Sequence, residues 1–383
     1  MSRANANRYA PDYVSPPGET LSEVLDMVGM SQAELADRTG RAKKTINEIV
    51  KGKAPITPKI ALAFENVLGI SASFWNNRES QFREYFARNK EEESLKRCLT
   101  WLDLFPVRQM VKLGWIGGFK DKIQQIRELL KFFQISSPDQ WERYAETYTD
   151  QVVFRKSETF KNNIPATIAW LRQGEIQART ILCPPYESGK FRKTLVAMRS
   201  LTREPPERFH PQMIDLAAAA GLALVFVPEL PGTKISAATR WLSPTKPMIQ
   251  LSLLYKKNDQ FWFSFFHEAA HILLHGKRDF FIKNGDDQAG EKEVEANSYA
   301  ANFLIPPAQF RALIKYGRPS KDTVLQFASA WGIAPGIIVG RLQRERIIPW
   351  SHYNDLKVGL KWASVPGGTE SRLQQARCPT RLR

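Results

Sequence analysis

A chain of 383 residues is too long for one ordinary hydrophobic core, so its length excludes a simple single-domain protein. A hydrophobic share of 43% and an aromatic share of 11% are typical of a folded protein and exclude a largely disordered one. The 55 Lys and Arg residues outnumber the 39 Asp and Glu residues, and the resulting net charge of +16 suits a nucleic-acid partner, although a basic enzyme would fit it equally well.

The cysteines and the apolar runs indicate the compartment. Cys98, Cys183 and Cys378 are odd in number, far apart and outside any CxxC pair, so they predict neither a disulfide framework nor a thiolate metal site. The start of the chain lacks the apolar core of a signal peptide, and runs such as Leu222–Val227 are too short to span a bilayer. We therefore expect a cytoplasmic protein without membrane contact.

The first predicted elements are short helices. Residues 1–17 are polar and proline-rich, which predicts a flexible lead-in. Ser31 followed by Glu34 predicts a capping box at the start of a helix that Gly40 ends, and Ala42–Val50 supplies a second helix. Two short helices joined by a tight glycine turn are the helix-turn-helix arrangement.

The second of these helices has a polar side that a DNA major groove could receive. Ile46 and Ile49 are expected to pack inward, so the side with lysine and asparagine is left exposed. Asparagine can read adenine edges, whereas lysine and the first residue of the preceding helix more often contact phosphate. The alternative is a helical dimerisation module that has lost its DNA. The candidate DNA contacts are Gln32, Lys43, Lys44 and Asn47.

The middle of the chain predicts a change from helices to a mixed region. Residues 89–163 contain a charge run and further helical stretches, which we interpret as a connector. Leu222–Val227 and Met248–Leu253 have the pattern of strands, and Gly290–Leu304 that of a helix. Phe261–Leu274 is too long for a strand and predicts a buried helix, with Asp259 as its cap.

That buried helix carries a candidate metal site. His267 and His271 are four residues apart, so both imidazoles leave the same face and can meet one Zn²⁺. Glu268 lies about 100° round the helix from His267, which suits a general base that takes a proton from the attacking water. His275 lies about 12 Å along the axis from His267, too far to share the ion, and is expected to cap or support the helix exit.

The third ligand is expected from the following helix. Glu293, Ala296 and Ala300 form one stripe that is otherwise small and apolar, and an acidic residue there is costly unless it finds a cation. Glu295 lies on a more polar face of the same helix, together with Ser298 and Asn302, and it remains the alternative ligand. The predicted zinc ligands are His267, His271 and Glu293, and the predicted catalytic residue is Glu268.

These motifs resemble those of the ImmA/IrrE family of zinc metallopeptidases. Residues 267–275 read HEAAHILLH and residues 293–306 read EVEANSYAANFLIP, and the resemblance covers about 164–346. Ala270 stands where glycine is common and Tyr299 where phenylalanine is common, and neither departure removes a reacting group. The resemblance implies a small zincin fold and a family in which cytosolic members cut helix-turn-helix repressors.

The N-terminal segment resembles Xre-like helix-turn-helix proteins, and specifically their HigA antitoxin branch. The resemblance covers 19–86, and its branch-specific parts are Pro17–Leu21 and Leu68–Trp75. It implies DNA binding, and because a single helix-turn-helix module buries little surface, a homodimer is expected.

We therefore predict a mainly α fold with a small α+β domain, in which a five-helix helix-turn-helix module and a helical connector precede a zincin-like metallopeptidase domain. The predicted function is a DNA-binding regulator with a zinc metallo-endopeptidase domain, which cleaves a regulatory protein such as a repressor and binds a double-stranded operator. The alternative is a HigA-like antitoxin or repressor, with a toxin partner, whose zinc domain is a non-catalytic sensor. The predicted boundaries are 1–17 for the lead-in, 18–88 for the helix-turn-helix domain, 89–163 for the connector, 164–350 for the metallopeptidase domain and 351–383 for a C-terminal extension with a disordered end.

Overall fold

The chain divides into two compact units, Met1–Cys98 and Leu99–Arg383. The first unit is helical, and the second combines helices with a small sheet, so the predicted mainly α fold with a small α+β domain is confirmed. The computed structural model describes residues 14–149, 163–276, 281–284, 290–315, 317–363 and 373–375. Most of the predicted lead-in, Cys378 and nearly all of the predicted disordered end lie outside the described residues.

The first unit contains the five predicted helices. Its core is made by apolar side chains from all five, including Leu21, Leu35, Ile46, Phe64 and Trp75. The helices are α1 (Pro17–Met27), α2 (Gln32–Thr39), α3 (Lys43–Val50), α4 (Pro58–Leu68) and α5 (Ala72–Arg97).

Local capping sets the ends of α2. The Ser31 hydroxyl accepts a hydrogen bond from the Glu34 backbone N–H at 3.1 Å, as predicted. The Glu34 carboxylate binds Arg38 at 2.5 Å instead, so the structure shows the serine half of the capping box only. Gly40 follows α2 with a φ of 62°, which is the left-handed conformation that glycine favours. The turn into α3 is therefore built from the residues that the sequence indicated.

The residues of the predicted connector fall in both units. Helix α5 continues to Arg97, and the segments from Leu99 onward belong to the second unit. There α6 (Val107–Lys112), α7 (Lys122–Phe133) and α8 (Trp141–Thr149) precede α9 (Ile164–Thr180). Arg172 of α9 donates a hydrogen bond from Nε to the Phe132 carbonyl at 2.9 Å, which ties α9 to α7. The boundaries drawn at 89 and 163 stay predictions.

A buried ion cluster joins α9 to the sheet. The Glu175 carboxylate binds Arg172 at 2.9 Å, and it also pairs with Arg240. The Tyr148 hydroxyl donates to the same carboxylate at 3.3 Å. Burial raises the pKa of the Glu175 carboxyl, but the nearby charges of Arg240 and Arg172 and the hydrogen bonds from Arg172 and Arg179 outweigh this, so the pKa lies below its usual range.

Replacement of Glu175 by glutamine should destabilise the second unit by about 3–5 kcal/mol, because it leaves two guanidinium groups without a buried counter-charge. Chemical denaturation of the full chain, followed by tryptophan fluorescence, measures this change. The matched control is Glu204→Gln, which removes an exposed pair with Arg208 and should change stability by less than about 1 kcal/mol.

The same cluster predicts a pH dependence. Because the folded-state pKa of Glu175 is lowered, its stabilisation is present above the unfolded pKa of about 4.3 and is lost as the pH falls through the folded value. Wild type should therefore lose stability on acidification below about pH 4.3 more steeply than Glu175→Gln. Parallel pH profiles of the two proteins would contradict this role.

The sheet of the second unit has four strands in the order β1-β3-β2-β4. Strand β1 pairs with β3 in parallel, with Leu224 opposite Ile249, while β2 pairs with β3 and with β4 in antiparallel orientation. The two predicted strands are confirmed as β1 and β3, within two residues at each end. The strands are β1 (Ala223–Phe226), β2 (Ile235–Ser243), β3 (Lys246–Leu251) and β4 (Phe281–Asn284), and a separate antiparallel pair is β5 (Leu360–Trp362) with β6 (Leu373–Gln375).

Several helices of the second unit pack against this sheet. The predicted helix at Phe261–Leu274 is confirmed as α12, which begins at Asn258, and the predicted helix at Gly290–Leu304 is confirmed as α13, which begins at Glu291. The helices after α9 are α10 (Ser188–Ser200), α11 (Pro206–Ala219), α12 (Asn258–Leu274), α13 (Glu291–Leu304), α14 (Pro307–Ile314), α15 (Lys321–Trp331) and α16 (Pro335–Arg344).

One detail of α12 corrects the sequence analysis. Asp259 is not the cap, since the residue before the helix is Lys257, which caps it with no side-chain hydrogen bond. Asp259 is instead buried in the first turn, and its carboxylate binds Lys357 at 2.7 Å. An acidic side chain near a helix start thus serves here as a buried partner for a distant lysine.

The helices in the described part of the chain are short or too polar to cross a bilayer singly. No single helix there combines the necessary length with apolar composition. Helices α15 and α16 pass that test only when they are joined, and the chain bends by 119° between them.

Candidate functional site

Two helices bring three potential metal ligands together. His267 and His271 leave the same face of α12 and are both buried, with their Nε2 atoms 3.0 Å apart. Glu293 approaches from α13, where one carboxylate oxygen lies 3.1 Å from His267 Nε2 and the other lies 3.3 Å from His271 Nε2. One atom from each residue can be chosen so that all three lie within 4.8 Å of one another. The three predicted ligands thus converge on one point.

The packing of α13 on α12 explains this convergence. Ala296 and Ala300 are fully buried, and their small side chains let the two helix backbones approach. The Phe266 and Phe303 rings lie 5.0 Å apart and complete the contact. Glu293 begins the same stripe, so its side chain reaches the histidines. The Glu295 side chain is 63% exposed and contacts His275 instead of His267 or His271.

The donor set fits a metal cation. The Asn297 side-chain oxygen lies 3.0 Å from His267 Nδ1, so in the neutral ring Nδ1 carries the proton and the Nε2 lone pair faces His271 and Glu293. Lewis-basic atoms at 3.0–3.3 Å repel one another unless a proton or a metal cation lies among them. Two imidazole nitrogens and one carboxylate are a ligand set that zinc accepts in catalytic sites.

Electrostatics keep the carboxylate ionised. Burial raises the pKa of the Glu293 carboxyl, but when His267 and His271 also carry a proton on Nε2, the hydrogen bonds they donate and their positive charge outweigh burial, so this pKa lies well below its usual range. A carboxylate must be deprotonated to bind a metal. The ligand roles themselves stay predictions.

Glu268 lies between the two histidines along α12 and is fully buried. Its backbone carbonyl accepts a hydrogen bond from the Thr239 hydroxyl at 3.5 Å, which connects this turn of the helix to β2. On an ideal helix Glu268 is about 100° away from His267, so its carboxylate leaves a different side of the helix from the ligand atoms. This position agrees with the role predicted for it, which also stays a prediction.

The structure adds contacts that the sequence analysis missed. His275 ends α12, as expected, and its Nδ1 lies 2.8 Å from His271 Nδ1 while its Nε2 lies 3.1 Å from a Glu295 oxygen. Asn297 supports His267 in a comparable way. The signal for Asn297 was present, because it follows Glu293 by four residues and so shares its helix face.

The candidate DNA contacts all lie on the surface of the first unit. Gln32 begins α2, and Lys43, Lys44 and Asn47 are exposed on α3. Ile46 and Ile49 are buried in the core, as the sequence predicted. The Lys44 ammonium lies 3.9 Å from the Glu48 carboxylate and the Lys44 side chain is 85% exposed, so this weak pair leaves the lysine able to contact phosphate. The polar side of α3 is therefore available to a DNA groove, and the contacts stay predictions.

Two kinds of effect are expected from this side of α3. Lys43→Ala should weaken binding to all DNA sequences and lower the slope of log affinity against log salt by about one, if it holds one phosphate. Asn47→Ala should instead cost about 1–3 kcal/mol and relax the preference at one base pair. Titration of the full chain against DNA from upstream of its own gene, at several salt concentrations, separates the two. Binding that does not respond to salt would exclude a phosphate-contacting surface.

Comparisons with known proteins match the two parts of the chain to different families. A model of peptidase family M78, described as the IrrE N-terminal-like domain, matches residues 224–343, and a helix-turn-helix model matches residues 21–75. The uncharacterized HTH-type transcriptional regulator YddM of Escherichia coli K12 is 33% identical over 85 residues, which are 22% of this chain and 90% of that protein.

Solved structures show similarity over a small part of the chain. An addiction module antidote protein of a HigA family from Coxiella burnetii is 25% identical, with a TM-score of 0.21. Antitoxin GraA is 27% identical, also with a TM-score of 0.21. Each match covers 22% of this chain and 92% of the other chain.

Proposed function

Since the chain belongs to the helix-turn-helix transcriptional regulators and carries an IrrE N-terminal-like peptidase domain, we propose that it binds an operator through its first unit and hydrolyses a regulatory protein through a zinc centre in its second. The observation that carries the proposal is the convergence of His267, His271 and Glu293 at 3.0–3.3 Å, beside the buried Glu268. Such a regulator acts in the cytoplasm, where its DNA is.

The chemistry follows from what each side chain can do. His267, His271 and Glu293 would hold the zinc, which when bound polarises a peptide carbonyl and makes water more acidic. Glu268 takes a proton from the attacking water and passes it to the nitrogen of the departing amine. Its buried position between His267 and His271 along α12 supports this role, because it keeps the carboxylate close to the ligands.

The DNA-binding part of the proposal rests on the exposed polar side of α3. One helix-turn-helix module buries little surface, so a homodimer on two half-sites about one DNA turn apart is expected. Lys43 and Lys44 would hold phosphates and position Asn47 over base edges, with Gln32 as a further phosphate contact. The net charge of +16 supports association with DNA.

The peptidase part of the proposal is tested in the full chain. Zinc-loaded protein is incubated with cytosolic proteins of its own cell, and newly formed N-termini are identified by mass spectrometry, with and without a chelator. We expect a small set of chelator-sensitive cuts in a regulatory protein such as a repressor. Zinc binding without any cleavage would leave the second unit as a non-catalytic sensor, of the kind that a HigA-like antitoxin with a toxin partner could use.

A further inference from the structure

A chain of three side chains runs from the protein surface to the second histidine of the metal site. Glu295 lies on the exposed side of α13, and one of its oxygens is 3.1 Å from His275 Nε2. His275 Nδ1 is in turn 2.8 Å from His271 Nδ1. His271 Nε2 faces Glu293 and His267. The contacts between Glu295 and His275 and between His275 and His271 are both within hydrogen-bond distance. His275 uses a different ring nitrogen for each of its two contacts, and His271 uses Nδ1 for His275 and Nε2 for the centre of the site.

The hydrogen-bonding roles along this chain follow from its outer end. An ionised carboxylate accepts hydrogen bonds only, so the proton of the contact lies on His275 Nε2. The other nitrogen of a neutral imidazole is an acceptor, and His275 Nδ1 therefore accepts from His271 Nδ1. With its proton on Nδ1, His271 presents the lone pair of Nε2 to the centre of the site.

We propose that Glu295 and His275 are positioning residues that hold His271 in its Nδ1–H tautomer and so keep Nε2 available for the metal. The inference rests on the proposed function in so far as His271 is a zinc ligand. It gives Glu295 a role that differs from the ligand role considered for it from the sequence. Asn297 favours the same Nδ1–H tautomer in His267. Both imidazoles therefore direct the lone pair of Nε2 toward the centre of the site.

The two supports differ in their exposure. The partner of His267 is a neutral amide on a half-buried residue, whereas the support of His271 ends in a carboxylate whose side chain is 63% exposed. Water competes with His275 for the Glu295 oxygen. The hydrogen bond between Glu295 and His275 is therefore weaker than a buried hydrogen bond to a carboxylate would be. His275 has a side chain that is only 3% exposed, and it holds the inner link. Removal of His275 should therefore have a larger effect than a change at Glu295.

Substitutions at Glu295 can reverse the direction of the hydrogen bonds. Glu295→Gln keeps an oxygen that accepts from His275 and should preserve the tautomer. Glu295→Lys offers donors only, so His275 Nε2 must accept, His275 Nδ1 carries the proton, and His271 is driven to the tautomer with its proton on Nε2. That proton occupies the atom that the metal needs. The same change of charge at the exposed Glu291, E291K, is the matched control.

The first measurement reads the tautomer directly in metal-free full-length protein. The chain has five histidines, so proton–nitrogen correlation spectra of histidine-labelled protein contain few side-chain signals. Spectra are recorded over a series of pH values, and the tautomer of His271 is read from those in which its ring is neutral. We expect His271 to carry its proton on Nδ1 in wild type, E295Q and E291K, and on Nε2 in E295K. An unchanged His271 tautomer in E295K would overturn the proposal.

The second measurement is zinc affinity, by competition with a chelator of known strength. His275→Ala should weaken zinc binding by about 10–100-fold, as is usual when a supporting partner of a ligand is removed. E295K should weaken it more than E291K does, and the difference should persist at high salt, where long-range charge effects are screened. Equal losses in E295K and E291K would mean that Glu295 acts through charge alone.

The two measurements separate this inference from the proposed function. Failure of wild type to bind zinc would overturn the metal site, whatever the tautomer of His271 is. A zinc-binding wild type whose His271 tautomer and zinc affinity do not respond to His275→Ala or E295K would overturn the positioning role and leave the metal site intact. Circular dichroism of each variant confirms that a loss of affinity is not a loss of fold.

Discussion

The Glu268→Gln variant should keep its zinc and its fold but cleave its substrate at least about 100-fold more slowly than wild type. Glutamine has the shape of glutamate but cannot take a proton from water, and Glu268 is the fully buried acidic side chain between the two histidines. The rate at which chelator-sensitive N-termini appear measures the effect. Glu291→Gln, at an exposed position on α13, is the matched control and should cleave at the wild-type rate.

Two results would contradict the role of Glu268. Equal cleavage by the Glu268→Gln variant and wild type would mean that another base acts or that the activity belongs to a contaminating protease. Loss of zinc together with loss of cleavage would mean that Glu268 holds the metal site together rather than moving a proton. Metal content measured on the same samples distinguishes these outcomes.

The second large effect concerns the metal itself. Purified full-length protein should contain about one zinc ion per chain, and His271→Ala should lose it, because only one imidazole and one carboxylate would remain of the three converging groups. Elemental analysis after dialysis against a weak chelator measures the content. Careful preparations of wild type without zinc would contradict the site.

The third ligand is tested by a matched pair on α13. Glu293→Ala should weaken zinc binding far more than Glu295→Ala, because Glu293 lies 3.1–3.3 Å from both imidazoles while Glu295 contacts His275. The reverse order would transfer the ligand role to Glu295. The positioning role of Glu295 predicts a measurable but smaller loss, so the pair separates a ligand from its support.

The helices were predictable because their signals are local. The Ser31 cap, the glycine that ends α2 and the spacing of Ile46 and Ile49 all act within one or two turns of chain. Strands β2 and β4 were not predicted, since a strand is stabilised by partners that are distant in sequence. Residues of β2 pair with β3 on one side and with β4, about 45 residues later, on the other.

The grouping of the three candidate ligands was predictable for the same reason, because the signals for it lie within single helices. The spacing of His267 and His271 on one helix brings both rings to one face, and the apolar stripe around Glu293 shows which face of α13 turns inward. The link between His275 and Glu295 was not foreseen, because it depends on how α12 and α13 lie against each other. A pattern along one helix says nothing about that geometry.

The buried ion cluster around Glu175 limits which single substitutions this sequence can accept during evolution. A substitution that removes only the Glu175 carboxylate takes the acidic partner away from the buried guanidinium groups of Arg172 and Arg240. A substitution that removes only Arg240 takes one positive charge away from the buried carboxylate, and either change is destabilising. Joint replacement of such a cluster by apolar side chains of similar volume is often neutral or even stabilising. Intermediate sequences are thus selected against while both end points are tolerated, so relatives should carry the cluster whole or lack it altogether.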